Sequence, residues 1–174
     1  FIPGHWGHAA IWVGTEDELK ALGIWNHPVV APYQPDIQAG NGIVEALRNG
    51  VVMNPVDHFL NIDDLAVLRH ETRDPIDTSE VIIQALRQVG KSYDFNFDVE
   101  TTDRIVCSEL VYLAYTDIEW PTVKAMGRAT ISPDNIAEKA LTNGPLKVAV
   151  LYHDGQPVTE KQTAMLAQLM DKRK

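Results

Sequence analysis

The chain has 174 residues, of which 45% are hydrophobic and 22% charged, and this is enough for one compact domain with a buried core. Acidic residues outnumber basic ones by 24 to 15, so the formal net charge is -9, and a field of this sign repels nucleic-acid backbones. No apolar run approaches the roughly 20 residues that a membrane-spanning helix needs. We therefore expect a single domain over residues 1–174, without a transmembrane segment or a nucleic-acid partner.

The chain contains one cysteine, Cys107, so no internal disulfide can form and cysteine pairing gives no information about the compartment. The sequence begins at Phe1 rather than at methionine. If a secretory leader was removed before Phe1, we expect a periplasmic or cell-envelope protein, and otherwise a cytoplasmic one. The sequence does not indicate an oligomeric state.

Strand patterns occur at five places. The first, His8–Val13, alternates and is rich in Trp, Ile and Val, so we expect His8, Ala10 and Trp12 on one face of a strand. A turn at residues 48–50 joins two of the later strands into a hairpin. The later strands are expected at 43–46, 51–53, 65–69 and 146–152.

Helix patterns lie between and after these strands. A capping box at Thr15 and Glu18 predicts a short helix, and residues 24–42, which lack a sustained period, predict a long ordered loop. We interpret residues 15–42 as an insertion. Because strands and helices do not strictly alternate, the pattern favours an α+β domain with a largely antiparallel sheet. The expected helices run from 16 to 22, from Thr78 to Gly90, from near Cys107, from Pro133 after Ser132, and from 159 to 172 within a C-terminal segment that ends at 174.

Cys107 is the first candidate for chemistry. As a small apolar residue it could simply fill the core. However, a helix that begins at Cys107 directs unpaired amide groups and the positive end of its dipole at the sulfur, and both stabilise a thiolate. A reactive thiolate also needs a base, and the base needs a third group that orients it. Cys107 is therefore a candidate nucleophile.

Six histidines are available as the base. His8 stands at the start of the first predicted strand, where the ring stays accessible while the strand fixes its direction. Glu45 lies between apolar residues in the next predicted strand, so its carboxylate either points to solvent or accepts a hydrogen bond from a cross-strand neighbour. If that neighbour is His8, Glu45 holds the imidazole in the tautomer that a base needs.

Three motifs follow one another along the chain. They are Gly7-His-Ala-Ala-Ile-Trp-Val-Gly14, Gly90-Lys-Ser-Tyr-Asp-Phe-Asn-Phe97 and Val106-Cys-Ser-Glu-Leu-Val-Tyr112. The strand patterns at 43–46, 50–52 and 65–69 lie between the first motif and the second. Taken as an ordered set over roughly residues 4–140, these segments resemble the YiiX/YaeF group of permuted NlpC/P60 cysteine hydrolases.

The resemblance implies a circularly permuted papain-like NlpC/P60 fold of the α+β class, in which a largely antiparallel sheet packs against helices. In this fold the histidine strand precedes the cysteine helix. Carried over residue by residue, Cys107 matches the nucleophile, His8 the base and Glu45 the orienting residue. Tyr93 and Trp6 are expected near the substrate, although the Tyr93 ring could equally pack on the sheet. No metal or other cofactor is expected.

These expectations predict a cysteine hydrolase that cleaves an amide or ester bond of a small-molecule, peptide or lipid substrate through a thioester. Residues 15–42 are longer than the usual connection in the group and could cover the cleft. One alternative is acyl transfer to a lipid acceptor, and another is a binding module that has lost activity. A third is a metal site formed by His5, His8 and Cys107, although a strand places residues three apart on opposite faces.

Overall fold

A computed structural model describes residues 4–93, 104–125, 128–141 and 143–171. The end of the second motif, from residue 94 to Phe97, and the last residues of the predicted C-terminal helix lie outside these ranges. Helices and antiparallel sheets are combined, so the predicted α+β class is confirmed. In the described ranges, we find no helix with both the length and the apolar character required to span a bilayer.

Ten strands are formed by the described residues. Three of them make a sheet in the order β1-β2-β3 and three make a second sheet in the order β10-β9-β4, both antiparallel. Two short pairs, β5 with β6 and β7 with β8, complete the set. The strands are β1 (Ala10–Trp12), β2 (Ile43–Leu47), β3 (Gly50–Asn54), β4 (Leu65–His70), β5 (Ser92–Tyr93), β6 (Arg104–Ile105), β7 (Val123–Ala125), β8 (Arg128–Thr130), β9 (Leu146–His153) and β10 (Gln156–Pro157).

Seven α-helices and one 3-10 helix (Ala31–Tyr33) accompany the strands in the described ranges. The α-helices are α1 (Glu16–Ala21), α2 (Gln34–Gln38), α3 (Val56–Phe59), α4 (Pro75–Leu86), α5 (Cys107–Ala114), α6 (Pro133–Glu138) and α7 (Gln162–Asp171). The central one is α5, which packs against β1 and β2, against α4 and against α6. Six of its eight residues are buried, so the sheet and the neighbouring helices together fix its position.

The β2–β3 hairpin forms at the predicted place, and its register aligns Leu47 with Gly50. Gly50 has a φ of +116°, a conformation that side chains disfavour, and a Cβ atom there would lie 2.7 Å from the backbone oxygen of Lys91. Glycine is therefore required both by the turn and by the close approach of the segment that leads into β5. This tight turn fixes which residues of the two strands face each other.

Several predicted boundaries were wrong. The first strand begins at Ala10, so His8 precedes it rather than lying within it. Helix α4 begins three residues before Thr78, because Asp74 caps it by accepting a hydrogen bond of 2.9 Å from the Asp77 amide. The same helix ends at Leu86, well before Gly90. The terminal helix α7 starts at Gln162, three residues later than predicted.

The segment 15–42 contains more helical structure than the sequence predicted. The Thr15–Glu18 capping box is present at the start of α1, as predicted. Residues 24–42, predicted as a loop, contain the 3-10 helix and α2, and they contribute Val30 and Ile37 to the hydrophobic core. The prediction failed here because short proline-containing helices have no recognisable period, and their stability comes from this burial.

Candidate active site

Cys107 is the first residue of α5 and is 9% exposed. The preceding residue, Val106, is extended, and its amide donates a 2.9 Å hydrogen bond to the buried Glu109 carboxylate. The intrahelical bonds start only at Leu110, whose amide donates to the Val106 carbonyl at 3.1 Å. The amide groups of the first turn, including that of Cys107, therefore have no acceptor within the helix and surround the sulfur with positive potential.

His8 and Glu45 meet across the first sheet. The antiparallel register aligns Ala10 of β1 with Glu45 of β2, and His8 lies two residues before Ala10. The distance between His8 Nε2 and Glu45 Oε2 is 2.8 Å. Glu45 is 3% exposed, whereas the His8 side chain is 33% exposed. Solvent therefore reaches the pair from the side of the imidazole ring.

The Cys107 thiol lies close enough to the His8 ring to act on its pKa through a hydrogen bond and through charge. Burial lowers the pKa of His8, but the contacts with Cys107 and Glu45 outweigh it, so the pKa of His8 is raised above the usual 6.5. Glu45 already holds Nε2, and Nδ1 is therefore the ring nitrogen left for the thiol proton. The three predicted site residues thus form one chain of contacts from sulfur to imidazole to carboxylate.

Asn54, at the end of β3, is a fourth member of this cluster. Its Nδ2 donates a 2.7 Å hydrogen bond to Glu45 Oε1, the carboxylate oxygen that His8 does not contact. The sequence interpretation missed this residue. The hairpin register aligns Glu45 with Val52, which places Asn54 two residues further along the same face, so the spacing around the predicted turn was the available signal.

The segment that carries His8 is held by α6. The backbone amides of His5 and Trp6 donate to the two carboxylate oxygens of Asp134, at 3.1 and 2.8 Å. Asp134 lies in the first turn of α6, which Ser132 caps at the predicted position. A Cβ atom on Gly4 would lie 2.7 Å from the Asp134 carboxylate, so a larger residue there would push this carboxylate out of its position. The start of α6 therefore holds the backbone just before the candidate base.

We expect Asp134→Ala to lower the free energy of unfolding by about 2 kcal/mol, because two hydrogen bonds to a charged group are lost. We also expect slower alkylation of Cys107, since the His8 segment is no longer held. Asp134→Asn keeps one acceptor oxygen and should lie between wild type and Asp134→Ala in both measurements. Urea unfolding and alkylation rates test this, and equal values for the Asn and Ala variants would contradict it.

His5 turns to a different carboxylate from His8. Its Nε2 lies 2.9 Å from Asp64 Oδ2, at ion-pair distance but without hydrogen-bond alignment, while His153 Nδ1 lies 2.8 Å from Asp64 Oδ1. The structure therefore does not bring His5 and His8 together with Cys107, and the contacts of these residues do not favour the metal alternative.

A cavity of about 560 Å³ adjoins the imidazole and carboxylate. Its walls are formed by β1, β4, residues 58–62 and one side each of α5 and α6. Most of the side chains that line it are apolar. Trp6 lines it, and the Trp6 indole nitrogen is buried without a hydrogen-bond partner in the described part of the chain. The structure describes all of the segment 15–42, and none of its residues lines this cavity. The segment therefore does not cover the cavity, contrary to the expectation that it could cover the cleft.

Tyr93 lies in β5, which pairs with the short strand that leads into Cys107. It pairs in register with Ile105, two residues before Cys107, and its side chain is half-buried against the core. Among the described residues that line the cavity, neither Tyr93 nor Cys107 occurs. The two predicted substrate-binding residues therefore do not share this cavity, because Trp6 lines it and Tyr93 does not.

A comparison with known protein families identifies a family for the chain. A sequence model for the family described as permuted papain-like amidase enzyme, YaeF/YiiX, C92 family, matches residues 1–172. No curated protein and no solved structure matches the chain. The match covers nearly all of the chain and agrees with the predicted permuted papain-like fold, and the chain therefore belongs to the YaeF/YiiX (C92) family of permuted papain-like amidases.

Proposed function

We propose that this protein is a cysteine hydrolase that cleaves an amide or ester bond through a thioester on Cys107, with His8 as the base and Glu45 as the residue that orients it. The observation that carries the proposal is the His8 ring held between the Cys107 thiol and the Glu45 carboxylate. The amidase family of the chain supports the same reaction class. An inactive binding module has no need for a buried carboxylate aimed at an accessible imidazole.

In the first half of the reaction, the Cys107 thiol gives its proton to His8 Nδ1 and the sulfur attacks the acyl carbonyl. The amide of Cys107, at the start of α5, donates to the oxyanion of the tetrahedral intermediate. His8 then protonates the leaving amine or alcohol as the carbon–nitrogen or carbon–oxygen bond breaks, and a thioester remains.

In the second half, water attacks the thioester and gives a proton to His8. The carbon–sulfur bond breaks, a carboxylic acid leaves, and the proton returns to the sulfur. Glu45 holds the Nε2 proton throughout, so Nδ1 is free in each step. The negative charge of Glu45 stabilises the imidazolium, which agrees with the raised pKa of His8.

A small-molecule or peptide amide is the first substrate class. A second candidate is an apolar acyl donor such as a lipid, with an amine or alcohol instead of water resolving the thioester. The apolar cavity beside His8 favours this candidate, because buried apolar surface contributes about 25 cal/mol per Å² to the binding of an apolar chain.

The experiment is a burst assay with p-nitrophenyl acetate and p-nitrophenyl octanoate, followed by mass spectrometry of the quenched protein. We expect one equivalent of p-nitrophenol per chain and an acyl adduct on the peptide that contains Cys107. Faster acylation by octanoate would favour the apolar donor, and acyl transfer to added hydroxylamine would measure the partition against water. A steady turnover without any adduct, unchanged in Cys107→Ala, would exclude the thioester mechanism.

A further inference from the structure

We propose that Asn54 is a positioning residue of this active site, whose side-chain amide fixes the Glu45 carboxylate in the orientation from which it holds His8. The inference rests on the proposed function of Cys107, His8 and Glu45. Asn54 does not touch the reacting atoms, and it acts only through Glu45.

The contacts of Glu45 give Asn54 this role. The two carboxylate oxygens have separate partners, His8 at 2.8 Å and Asn54 at 2.7 Å. Glu45 is 3% exposed, so water cannot replace either partner. A carboxylate held at one oxygen can still rotate about its last side-chain bond, whereas a carboxylate held at both oxygens cannot. Without the amide, one buried oxygen would lose its hydrogen bond and the other would lose its fixed direction.

The chemistry of asparagine suits the position. An ionised carboxylate only accepts hydrogen bonds, so the Asn54 side chain must present its NH₂ group and not its oxygen. A lysine or arginine at this position would compete with the His8 imidazolium for the charge of Glu45, and an aspartate would repel that charge. A neutral donor therefore fixes the carboxylate and leaves its charge available to His8.

The β2–β3 hairpin makes the placement rigid. Glu45 aligns with Val52 and Ile43 aligns with Asn54, so Glu45 and Asn54 are diagonal neighbours on one face of the sheet. The turn before Gly50 sets this register, and a slip by one residue would turn Asn54 to the opposite face. The hairpin thus delivers the carboxylate and its amide partner as one unit.

The test uses Asn54→Leu and Asn54→Asp, which keep the size of the side chain. The titratable groups that act on His8 are Cys107 and Glu45. In Asn54→Leu, we expect the rate of Cys107 alkylation by iodoacetamide at about pH 6 to fall about tenfold or more. Losses of this size are usual when a hydrogen bond that orients a functional side chain is removed. The His8 titration midpoint, measured by NMR, should fall because the carboxylate can turn away. In Asn54→Asp, two buried carboxylates at this distance cannot both ionise and share one proton at about pH 6. The protonated side chain can still donate to Glu45, so alkylation and the His8 midpoint should lie much closer to wild type than in Asn54→Leu.

Gln38→Leu is the matched control, because Gln38 Nε2 donates to Glu16 Oε2 at 2.9 Å in another amide–carboxylate pair, exposed at the surface. We expect wild-type alkylation and an unshifted His8 midpoint in this variant. A loss of alkylation in Asn54→Leu that Asn54→Asp largely restores would not arise from a purely structural role, because the two substitutions are similar in size and differ in their ability to donate a hydrogen bond. A folded Asn54→Leu protein with wild-type alkylation and midpoint would overturn the inference, provided that His8→Ala lowers alkylation. If His8→Ala also leaves alkylation unchanged, the proposed function itself fails.

Discussion

Replacing Cys107 with alanine is expected to lower kcat/KM on any amide or ester substrate by roughly 10⁴-fold or more, because both halves of the reaction pass through the sulfur. Cys107 is the only cysteine in the chain, so no other thiol can take over. The residual rate should show no burst and leave no acyl adduct. Steady-state kinetics with intact-protein mass spectrometry measure both quantities.

The control for this prediction is the stability of the fold. Cys107 is a small residue at the first position of α5, and Cys107→Ala removes only one sulfur atom while alanine keeps the helix. We therefore expect the free energy of unfolding to change by about 1 kcal/mol or less. Cys107→Ser should also be folded and nearly inactive. Wild-type turnover in either variant would show that the sulfur is not the nucleophile.

His8→Ala is expected to lower kcat/KM by about 10²–10⁴-fold, the usual contribution of a positioned acid–base group. Without the ring, the Cys107 proton has no acceptor in the cluster, so alkylation by iodoacetamide at about pH 6 should also become slow. Added imidazole should restore part of the rate in His8→Ala, because a free ring can enter the space that is left. It should not do so in Cys107→Ala.

The same variant tests the raised pKa of His8 through stability. Because the folded pKa lies above the unfolded value of about 6.5, folding binds a proton more tightly, and the stabilisation is fully present below that value. It is lost as the pH rises through the raised folded pKa. The difference in unfolding free energy between wild type and His8→Ala should therefore be largest in mild acid and decrease towards alkaline pH.

His27, which is half-buried in the segment 15–42 and lies outside the cluster, provides the control for the kinetic experiment. His27→Ala should have wild-type kinetics. If His8→Ala behaves like His27→Ala, the assignment of His8 as the base is wrong. If His8→Ala loses activity but its stability difference is independent of pH, the ring acts without the charged interaction that raises its pKa.

Elements that are determined by neighbouring residues were predicted correctly from the sequence. The capping box at Thr15, the cap at Ser132 and the hairpin turn before Gly50 each depend on residues within a few positions, and each forms as predicted. The helix that begins at Cys107 was predicted from its apolar spacing, and it is buried between the sheet and α4. The boundaries of α4 and the short helices within 24–42 were missed, because capping by Asp74 and burial of Ile37 decide them.

The sequence by itself determined which residue types were available for the chemistry and near which elements they lie: a thiol at a helix start, an imidazole close to the first strand and a carboxylate in the next strand. Only the tertiary structure decided how they are held. Asn54 reaches Glu45 through the hairpin register, and Asp134 reaches the His8 segment from more than 120 positions away along the chain. Such contacts leave no periodic signal, because hydrogen-bond geometry acts through space and is fixed only when the sheet, α5 and α6 pack together.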